Sequence, residues 1–263
     1  MGLYLLFSLS FAQVTNLNDT GAGSLRDAIT AAGEGDTITF QAGLSGTINV
    51  GVEIAINEND LTIDATGTTI AVDGQGTSRV FRHTGTGILT INNLTIQNGN
   101  NAGNGGGILS NGDVNIINST LAENRSGVGG GIFVFGTATI TNSIVHGNRA
   151  DGFGGGGVVS IGGNVVMINS MTFGNFTVGN GGGVGTDSNI VLINSTVSGN
   201  RATNGGGAFS FGNTILNNSL VLGNDAPNQP ANSCQRSPHP HQQRLRLRSW
   251  RIHQRQIRRC NYR

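Results

Sequence analysis

The sequence of 263 residues predicts an all-β protein, a right-handed parallel β-helix built from coils of about 25 residues. Three observations lead to this fold. Pairs of Asn recur every 24 to 27 residues, Gly triplets recur with the same period, and apolar residues form columns at fixed distances from both. Short alternating segments such as Ala138-Thr139-Ile140-Thr141 lie between Gly and Asn clusters, a pattern typical of short strands joined by turns.

The Asn pairs are the clearest repeat. Six segments end in an apolar strand, an Asn and a second Asn six residues later. The pairs are Asn92 and Asn98, Asn118 and Asn124, Asn142 and Asn148, Asn169 and Asn175, Asn194 and Asn200, and Asn218 and Asn224. Asn tolerates left-handed backbone at corners, and stacked amides can donate to one neighbouring coil and accept from the other. We therefore interpret both columns as structural ladders rather than ligand sites.

The Gly triplets and apolar columns predict the corners and the core. The triplets begin at Gly105, Gly129, Gly155, Gly181 and Gly205, where side chains would collide in a tight corner. Three columns are predicted to face inward: Ile116, Ile140, Met167, Leu192 and Leu216; Leu121, Val145, Thr172, Val197 and Val221; and Ile108, Ile132, Val158, Val184 and Ala208. No single coil can bury its apolar residues, so the core requires stacking.

The chain divides into four predicted segments. Residues 1–12 form an apolar run of signal-peptide length with a small-x-small cleavage site that ends at Ala12, although no positive charge precedes the run. Residues 13–60 are predicted to form the N-terminal cap and first strands, including a short capping helix that starts after Ser24. Residues 61–225 hold the coils. No segment is long and apolar enough to span a bilayer.

Residues 226–263 differ sharply from the coils. They contain nine Arg, no acid and no Gly, whereas residues 1–225 contain six Arg and 14 acids. A basic tail could serve nucleic acid or membrane lipid, but the abrupt change in composition favours a shifted reading frame. We expect this segment to be disordered or frame-shifted, and we predict no nucleic-acid partner. The chain contains no Lys, which excludes P-loop and Schiff-base chemistry.

The residues resemble a known group of proteins. The N-terminal segment is similar to bacterial secreted right-handed β-helix repeat proteins over Val14-Thr15-Asn16, Asn18 to Ile29 and Gly35 to Phe40. Later elements resemble polymorphic outer-membrane protein repeats, for example Gly105 to Ile108 and Gly147-Asn148. The resemblance covers residues 14–225. It implies an extracellular or bacterial outer-surface protein, often adhesive and often anchored at its C-terminus, although residues 226–263 do not match such an anchor. The wider pectin-lyase-like superfold also contains polysaccharide lyases and hydrolases.

An enzyme of this shape would need carboxylates that converge in one groove, as an acid and base pair or as calcium ligands. The later acids do not share one repeat position, so the candidates lie near the N-terminus. We name Asp60, Asp64 and Asp73 as the catalytic candidates, with Glu53, Arg79 and Arg82 nearby in sequence. Solvated acids and turn residues explain the same pattern. His83 and His146 are isolated, and we predict that they are surface residues.

One stacked position is better suited to binding. The residue seven after the first Asn of each Asn-Ser step reads Arg125, Arg149, Phe176, Arg201 and Asp225, and we call this set the Arg column. It begins the loop of variable length before the next Gly triplet. Arg can hold carboxylate or sulfate groups through charge-assisted hydrogen bonds, and Phe176 can stack on a ring. The alternative is a solvated column of like charges.

The sequence therefore favours a secreted or cell-surface β-helix protein with an adhesive or structural role, and with glycan binding at Arg125, Arg149, Phe176 and Arg201. The expected partner is an acidic polysaccharide or a host or cell-surface glycan. The alternative is a polysaccharide lyase or glycoside hydrolase of the pectin-lyase-like superfold. Enzymatic activity stays open, with a non-enzymatic role preferred. We predict no metal and no cofactor, and calcium would enter only under the lyase alternative.

Overall fold

The structure is a computed structural model that describes residues 11–227. It is a parallel β-helix, because every strand pair within the described part of the chain is parallel and successive strands of each sheet come from successive coils. The predicted fold class is confirmed. The predicted signal peptide, apart from its last two residues, and residues 228–263 of the predicted tail lie outside the described residues.

One short helix and many short strands make up the chain. The helix α1 spans Leu25–Ala31. The first strands are β1 (Phe11–Val14), β2 (Thr37–Phe40), β3 (Ser45–Asn49), β4 (Ile54–Ile56), β5 (Leu61–Asp64), β6 (Thr69–Asp73), β7 (Phe81–His83), β8 (Ile88–Asn92), β9 (Leu94–Gln97), β10 (Asn100–Asn104), β11 (Ile108–Ser110), β12 (Asp113–Ile117), β13 (Thr120–Ala122) and β14 (Arg125–Val128).

The later coils repeat this order. Their strands are β15 (Ile132–Val134), β16 (Ala138–Thr141), β17 (Ile144–His146), β18 (Arg149–Ala150), β19 (Val158–Ser160), β20 (Val165–Ile168), β21 (Met171–Phe173), β22 (Phe176–Thr177), β23 (Val184–Thr186), β24 (Ile190–Ile193), β25 (Thr196–Ser198), β26 (Ala208–Ser210), β27 (Thr214–Asn217) and β28 (Leu220–Leu222).

The strands form four sheets that run along the helix. Sheet A has the order β1-β2-β5-β8-β12-β16-β20-β24-β27, sheet B joins β3-β6-β9-β13-β17-β21-β25-β28, and sheet C joins β4-β7-β11-β15-β19-β23-β26. Sheet D, with β10-β14-β18-β22, pairs the starts of the variable loops between sheets B and C. Each complete coil therefore contributes one strand to each of the three main sheets, and the middle coils also contribute one to sheet D.

The core fills the space between sheets A, B and C. Strand register aligns the predicted inward columns, for example Ile116 with Ile140 and then with Met167, and these side chains are fully buried. The prediction fails in the last coil. Leu216 is 44% exposed because no coil within the described residues packs on it.

An outer Asn ladder marks the corner between sheets A and B. Its members, Asn118, Asn142, Asn169, Asn194 and Asn218, have φ between 49° and 51°, the left-handed conformation that the sequence predicts. Each Nδ2 donates to the Oδ1 of an Asn in the preceding coil, as in Asn142 to Asn118 at 3.3 Å. The side chains are exposed.

An inner Asn ladder follows sheet B and consists of Asn124, Asn148, Asn175, Asn200 and Asn224. These side chains are buried, and from Asn148 onward each Oδ1 accepts from both the backbone N–H and the Nδ2 of the preceding member, at 2.9 to 3.0 Å. The other Nδ2 bonds reach backbone carbonyls such as Leu121 O, and Asn175 Nδ2 also donates to Thr172 Oγ1. The predicted donation to one side and acceptance from the other is confirmed for both ladders.

The predicted first Asn pair, Asn92 and Asn98, is wrong by one residue at each position. Register pairs Ile117 with Asn92, so Asn118 corresponds to Asn93, which has φ 60°. Likewise, the N–H of Gly99 donates to Asn124 Oδ1, so Gly99 stands at the inner position. The spacing of six is preserved, but strand pairing rather than spacing fixes the register.

The Gly triplets lie where neighbouring coils approach closely. A Cβ added to Gly106 would lie 2.4 Å from Arg125 O and 2.6 Å from Gly130 O, and Gly130 meets Gly156 O at 2.5 Å in the same way. These distances are too short for a Cβ atom, which confirms that side chains would collide there.

The N-terminal capping helix is confirmed. Ser24 is the N-cap, and its Oγ accepts a hydrogen bond from the backbone N–H of Asp27 at 3.1 Å. The helix buries Leu25, Ala28 and Ile29 in the same core as the first coil and contacts β1 and β4. The predicted cleavage point after Ala12 falls inside β1, where Ala12 pairs with Ile38.

Candidate functional site

The Arg column stacks as a continuous line along sheet D. Arg125 pairs with Arg149, Arg149 with Phe176, Phe176 with Arg201, and Arg201 with Asp225. Each residue directly follows a member of the inner ladder, so the buried amides fix the backbone from which the column projects. The Arg side chains are 57%, 49% and 64% exposed in chain order, which leaves them open to a ligand.

Asp151 joins two members of the column. Its Oδ2 accepts from Arg125 Nε and its Oδ1 from Arg149 Nε, both at 2.6 Å. Desolvation alone would raise the pKa of Asp151, but the hydrogen bonds and charges of Arg125 and Arg149 outweigh it and hold that pKa below its ordinary value. The carboxylate therefore shows that this pair of guanidinium groups can hold an acid group.

The rest of the column supplies an aromatic face and a second ion pair. The guanidinium carbon of Arg149 lies 4.7 Å from the centre of the Phe176 ring, a cation–π contact. Arg201 Nε lies 3.2 Å from Asp225 Oδ2, and both side chains are 64% exposed. Along its length the column thus carries three cations partly balanced by two carboxylates.

A polar concavity of about 650 Å³ adjoins the first Arg of the column. It is lined by Asn49, Asp73, Gln75, Gly76, Asn98, Gly99, Asn100, Glu123 and Arg125. All lining side chains can form hydrogen bonds, and none is apolar. Its walls come from four successive coils, and Arg125 belongs to both the polar concavity and the Arg column.

The three candidate acids of the N-terminal region lie at three different corners. Asp60 precedes sheet A and accepts the N–H of Ile88, Asp64 ends a strand of sheet A and binds Thr66 and Asn92, and Asp73 ends a strand of sheet B. The coil thus separates Asp60, Asp64 and Asp73 rather than gathering them in one groove. Only Asp73 lines the polar concavity.

Glu53 forms a separate ion-pair cluster. It pairs with Arg79, which is buried, and lies 3.6 Å from Arg82, which is half-exposed. Arg79 also donates to the carbonyls of Asn104 and Gly105, which ties neighbouring coils together. Burial lowers the pKa of Arg79, and the attraction of Glu53 opposes that shift. These contacts account for the cluster as a structural element.

The prediction that His83 is a surface residue is wrong. His83 is fully buried, because it occupies an inward position of β7. Its Nδ1 lies 2.7 Å from Ser110 Oγ, and its Nε2 lies 2.9 Å from Glu58 O and 3.0 Å from Asn59 O. His146 is partly exposed on the outside of sheet B, where it stacks on Phe173 and lies 4.0 Å from Glu123.

Two residues of this region were missed by the sequence reasoning. Asp151 lies in the variable loop, so its pairing with Arg125 and Arg149 has no repeat signal. Glu123 did carry a signal: it stands where later coils have Gly147, Gly174, Gly199 and Gly223. An alignment of the repeats would have singled it out.

Two kinds of feature are absent from the described residues, a metal-binding cluster and a membrane-spanning helix. Within residues 11–227, no group of three or more His, Cys, Asp or Glu side chains is placed to hold a metal ion. Over the same residues, no helix is long and apolar enough to cross a membrane.

Comparisons with known proteins show similarity to a solved structure but to no family model. No family model matches the chain, and no curated protein matches it. The crystal structure of pectate lyase Pel9A is similar, with a TM-score of 0.48 and 16% sequence identity, over 85% of this chain and 79% of that chain. The parallel β-helix fold itself follows from the strand pairing described above.

Proposed function

We propose that this chain is a secreted or cell-surface β-helix protein of bacterial type with an adhesive or structural role, and that it binds an acidic polysaccharide along the Arg column. The observation that carries the proposal is the pair Arg125 and Arg149, which holds the carboxylate of Asp151 between two guanidinium groups at 2.6 Å. A uronate carboxylate or a sugar sulfate has the same acceptor chemistry.

The geometry of the column suits an extended polymer. Arg125, Arg149, Phe176 and Arg201 belong to four successive coils, so with coils about 4.8 Å apart the column extends roughly 14 Å. The cations can contact acid groups spaced along a chain, and the exposed part of Phe176 offers an apolar surface for a sugar ring. The inner ladder beneath keeps the backbone of the site in place before a ligand arrives.

Asp151 sets the strength of this interaction. An acidic ligand must share or replace the bonds that Asp151 makes with Arg125 and Arg149. Because all three side chains are partly exposed, solvent screens the ion pairs and exchange with a ligand costs little. We expect moderate affinity for a single acid group and stronger binding to polymers that engage several cations together.

A glycan array tests the proposal. The array contains oligogalacturonate, alginate and chondroitin sulfate, with neutral glucan and mannan for comparison. Wild-type protein is expected to bind acidic glycans, and the triple variant Arg125→Gln, Arg149→Gln and Arg201→Gln to lose that binding. Raised salt should weaken the wild-type signal, since charge pairs at an exposed site are screened.

Arg82→Gln is the matched control, because Arg82 is 50% exposed and ion-paired, as Arg149 is, but lies on sheet C. It should bind as wild type does. Unchanged binding by the triple variant, or an equal loss in Arg82→Gln, would refute the proposal. The same glycans, incubated with wild-type protein and assayed for new unsaturated ends, test the lyase alternative.

A further inference from the structure

Outside the corner between sheets A and B, every left-handed residue other than Gly in the described part of the chain lines the polar concavity. Within the described part of the chain, nine non-Gly residues have positive φ. Six are Asn at the corner between sheets A and B, namely Asn93 and the outer ladder. The other three are Gln75, Asn98 and Glu123, with φ of 54°, 51° and 55°, and all three line the polar concavity.

Glu123 is the most unusual of the three. Later coils place Gly147, Gly174, Gly199 and Gly223 at the same position with φ of 62° to 64°, where Gly has no steric penalty. A long side chain in this conformation costs about 1 kcal/mol or more. At this repeat position, Glu therefore occupies an unfavourable conformation only at Glu123, which lines the polar concavity.

The neighbouring coil leaves room for the Glu123 carboxylate. A Cβ added to Gly147 would lie 2.0 Å from Glu123 Oε1, so the carboxylate occupies space above Gly147. His146 Nδ1 lies 4.0 Å from the same oxygen, beyond hydrogen-bond distance. Among contacts within the described residues, this leaves the oxygens of Glu123, a residue that lines the polar concavity, available as acceptors.

Asp73 organises the opposite wall. Its Oδ1 accepts from the backbone N–H of Gln75 at 2.7 Å, and its Oδ2 accepts from Gln97 Nε2 and Asn98 Nδ2, each at 2.8 Å. These bonds hold the amide of Asn98 with its donor toward Asp73, so its oxygen is the group left for a ligand. The walls thus present fixed amide and carboxylate acceptors together with the donors of Arg125.

We infer that the polar concavity binds the hydroxyl groups of one sugar unit of the acidic polysaccharide, with Glu123 as a specificity-determining acceptor and Arg125 holding the adjacent acid group. The inference rests on the proposed function and adds to it a site for hydroxyl recognition. Hydroxyls donate to carboxylate and amide oxygens, whereas a cation would require Asp73 to give up three N–H donors and to lie near Arg125. The side chains of the polar concavity therefore favour the hydroxyl groups of a sugar over a metal ion.

Two variants of Glu123 separate recognition from folding. Glu123→Gly removes the carboxylate and the left-handed strain, so it should weaken binding at least tenfold while the midpoint of thermal unfolding rises by about 2 °C. Glu123→Gln keeps the shape but not the charge, and should weaken binding less. Affinities are measured by calorimetry with oligogalacturonate, oligoalginate and chondroitin sulfate oligosaccharides.

Asn118→Gly is the control for the backbone change, because Asn118 has φ 49° at the other corner and does not line the polar concavity. Its affinity should equal that of wild type. Unchanged affinity of Glu123→Gly while Arg149→Gln loses binding would overturn the inference and leave the proposed function intact. If Arg149→Gln also binds normally, the proposed function itself fails. A lower unfolding midpoint in Glu123→Gly would overturn the premise of strain.

Discussion

The outer and inner Asn ladders use the same side chain with the same period but in opposite ways. In the outer ladder the Asn itself is left-handed and its amide is exposed, and members with neighbours on both sides make one bond to the coil before and one to the coil after. In the inner ladder the residue before the Asn is left-handed, and the buried amide bonds to side chains and backbone on both sides.

The difference shows that periodicity alone does not indicate how much each repeated position contributes to stability. Water can replace the bonds of the outer ladder, whereas nothing replaces those of a buried amide. The inner ladder also lies directly before each member of the Arg column. The same corner therefore carries both the buried amide network and the proposed binding residues, since each member of the column directly follows a member of the inner ladder.

The largest predicted effect is the loss of an inner amide. Asn148→Ala removes the acceptor of Asn124 and the donor to Leu121 O, His146 O and Asn175, all buried or partly buried. Leaving such groups unsatisfied should reduce the free energy of unfolding by about 3 kcal/mol or more. Denaturant unfolding followed by circular dichroism measures the loss.

The matched change in the outer ladder should have a smaller effect. Asn142→Ala loses exposed bonds to Asn118 and Asn169 and a left-handed preference, which together contribute about 1 kcal/mol. If Asn142→Ala destabilised the protein as much as Asn148→Ala does, the inner ladder would not contribute more to stability than the outer ladder, and this account would be wrong.

The smallest effect on stability is expected above the inner ladder, at Asp151. Its pKa is lowered in the folded state, so its ion pairs stabilise the fold above an ordinary pKa of 3.8, and this contribution is lost as the pH falls through the lowered value. Asp151→Asn should cost under about 1 kcal/mol at neutral pH, because the site is exposed. Its unfolding curve should converge with that of wild type in acid.

The same variant should change binding in the opposite direction. With the internal carboxylate neutralised, Arg125 and Arg149 are released for the glycan, and affinity should rise by up to about fivefold at neutral pH. Calorimetric titration of wild-type and Asp151→Asn protein with one acidic oligosaccharide measures the change. A fall in affinity would mean that Asp151 orients the guanidinium groups rather than competing for them.

Much of the fold could be predicted because each feature repeats. Apolar columns such as Ile116, Ile140 and Met167 and the two ladders recur at a fixed distance, and stacking turns each recurrence into a contact. The short helix was predictable from Ser24 and the spacing of Leu25, Ala28 and Ile29. The stacking of the Arg column follows from the same period, so its placement was predictable too.

The rest depends on features that do not repeat. Asp151 lies in the variable loop, where the separation between the second Asn and the next Gly triplet changes from five to seven residues between coils. The ion-pair partners of Asp151 therefore cannot be predicted from its position in the repeat. The first Asn pair was displaced by one residue because spacing does not determine strand register. His83 lies before the Asn-Ser repeats, so no repeat pattern indicates that it faces inward. The polar concavity combines residues of four coils.

The central claim is that the Arg column binds acidic glycan while the inner ladder beneath it carries stability. Its most direct test is a calorimetric titration of Arg149→Gln and Arg82→Gln with the acidic oligosaccharide that wild-type protein binds best, alongside their unfolding curves. We predict that Arg149→Gln weakens binding about tenfold with nearly unchanged unfolding, while Arg82→Gln retains wild-type affinity. Equal affinities for the two variants would contradict the claim.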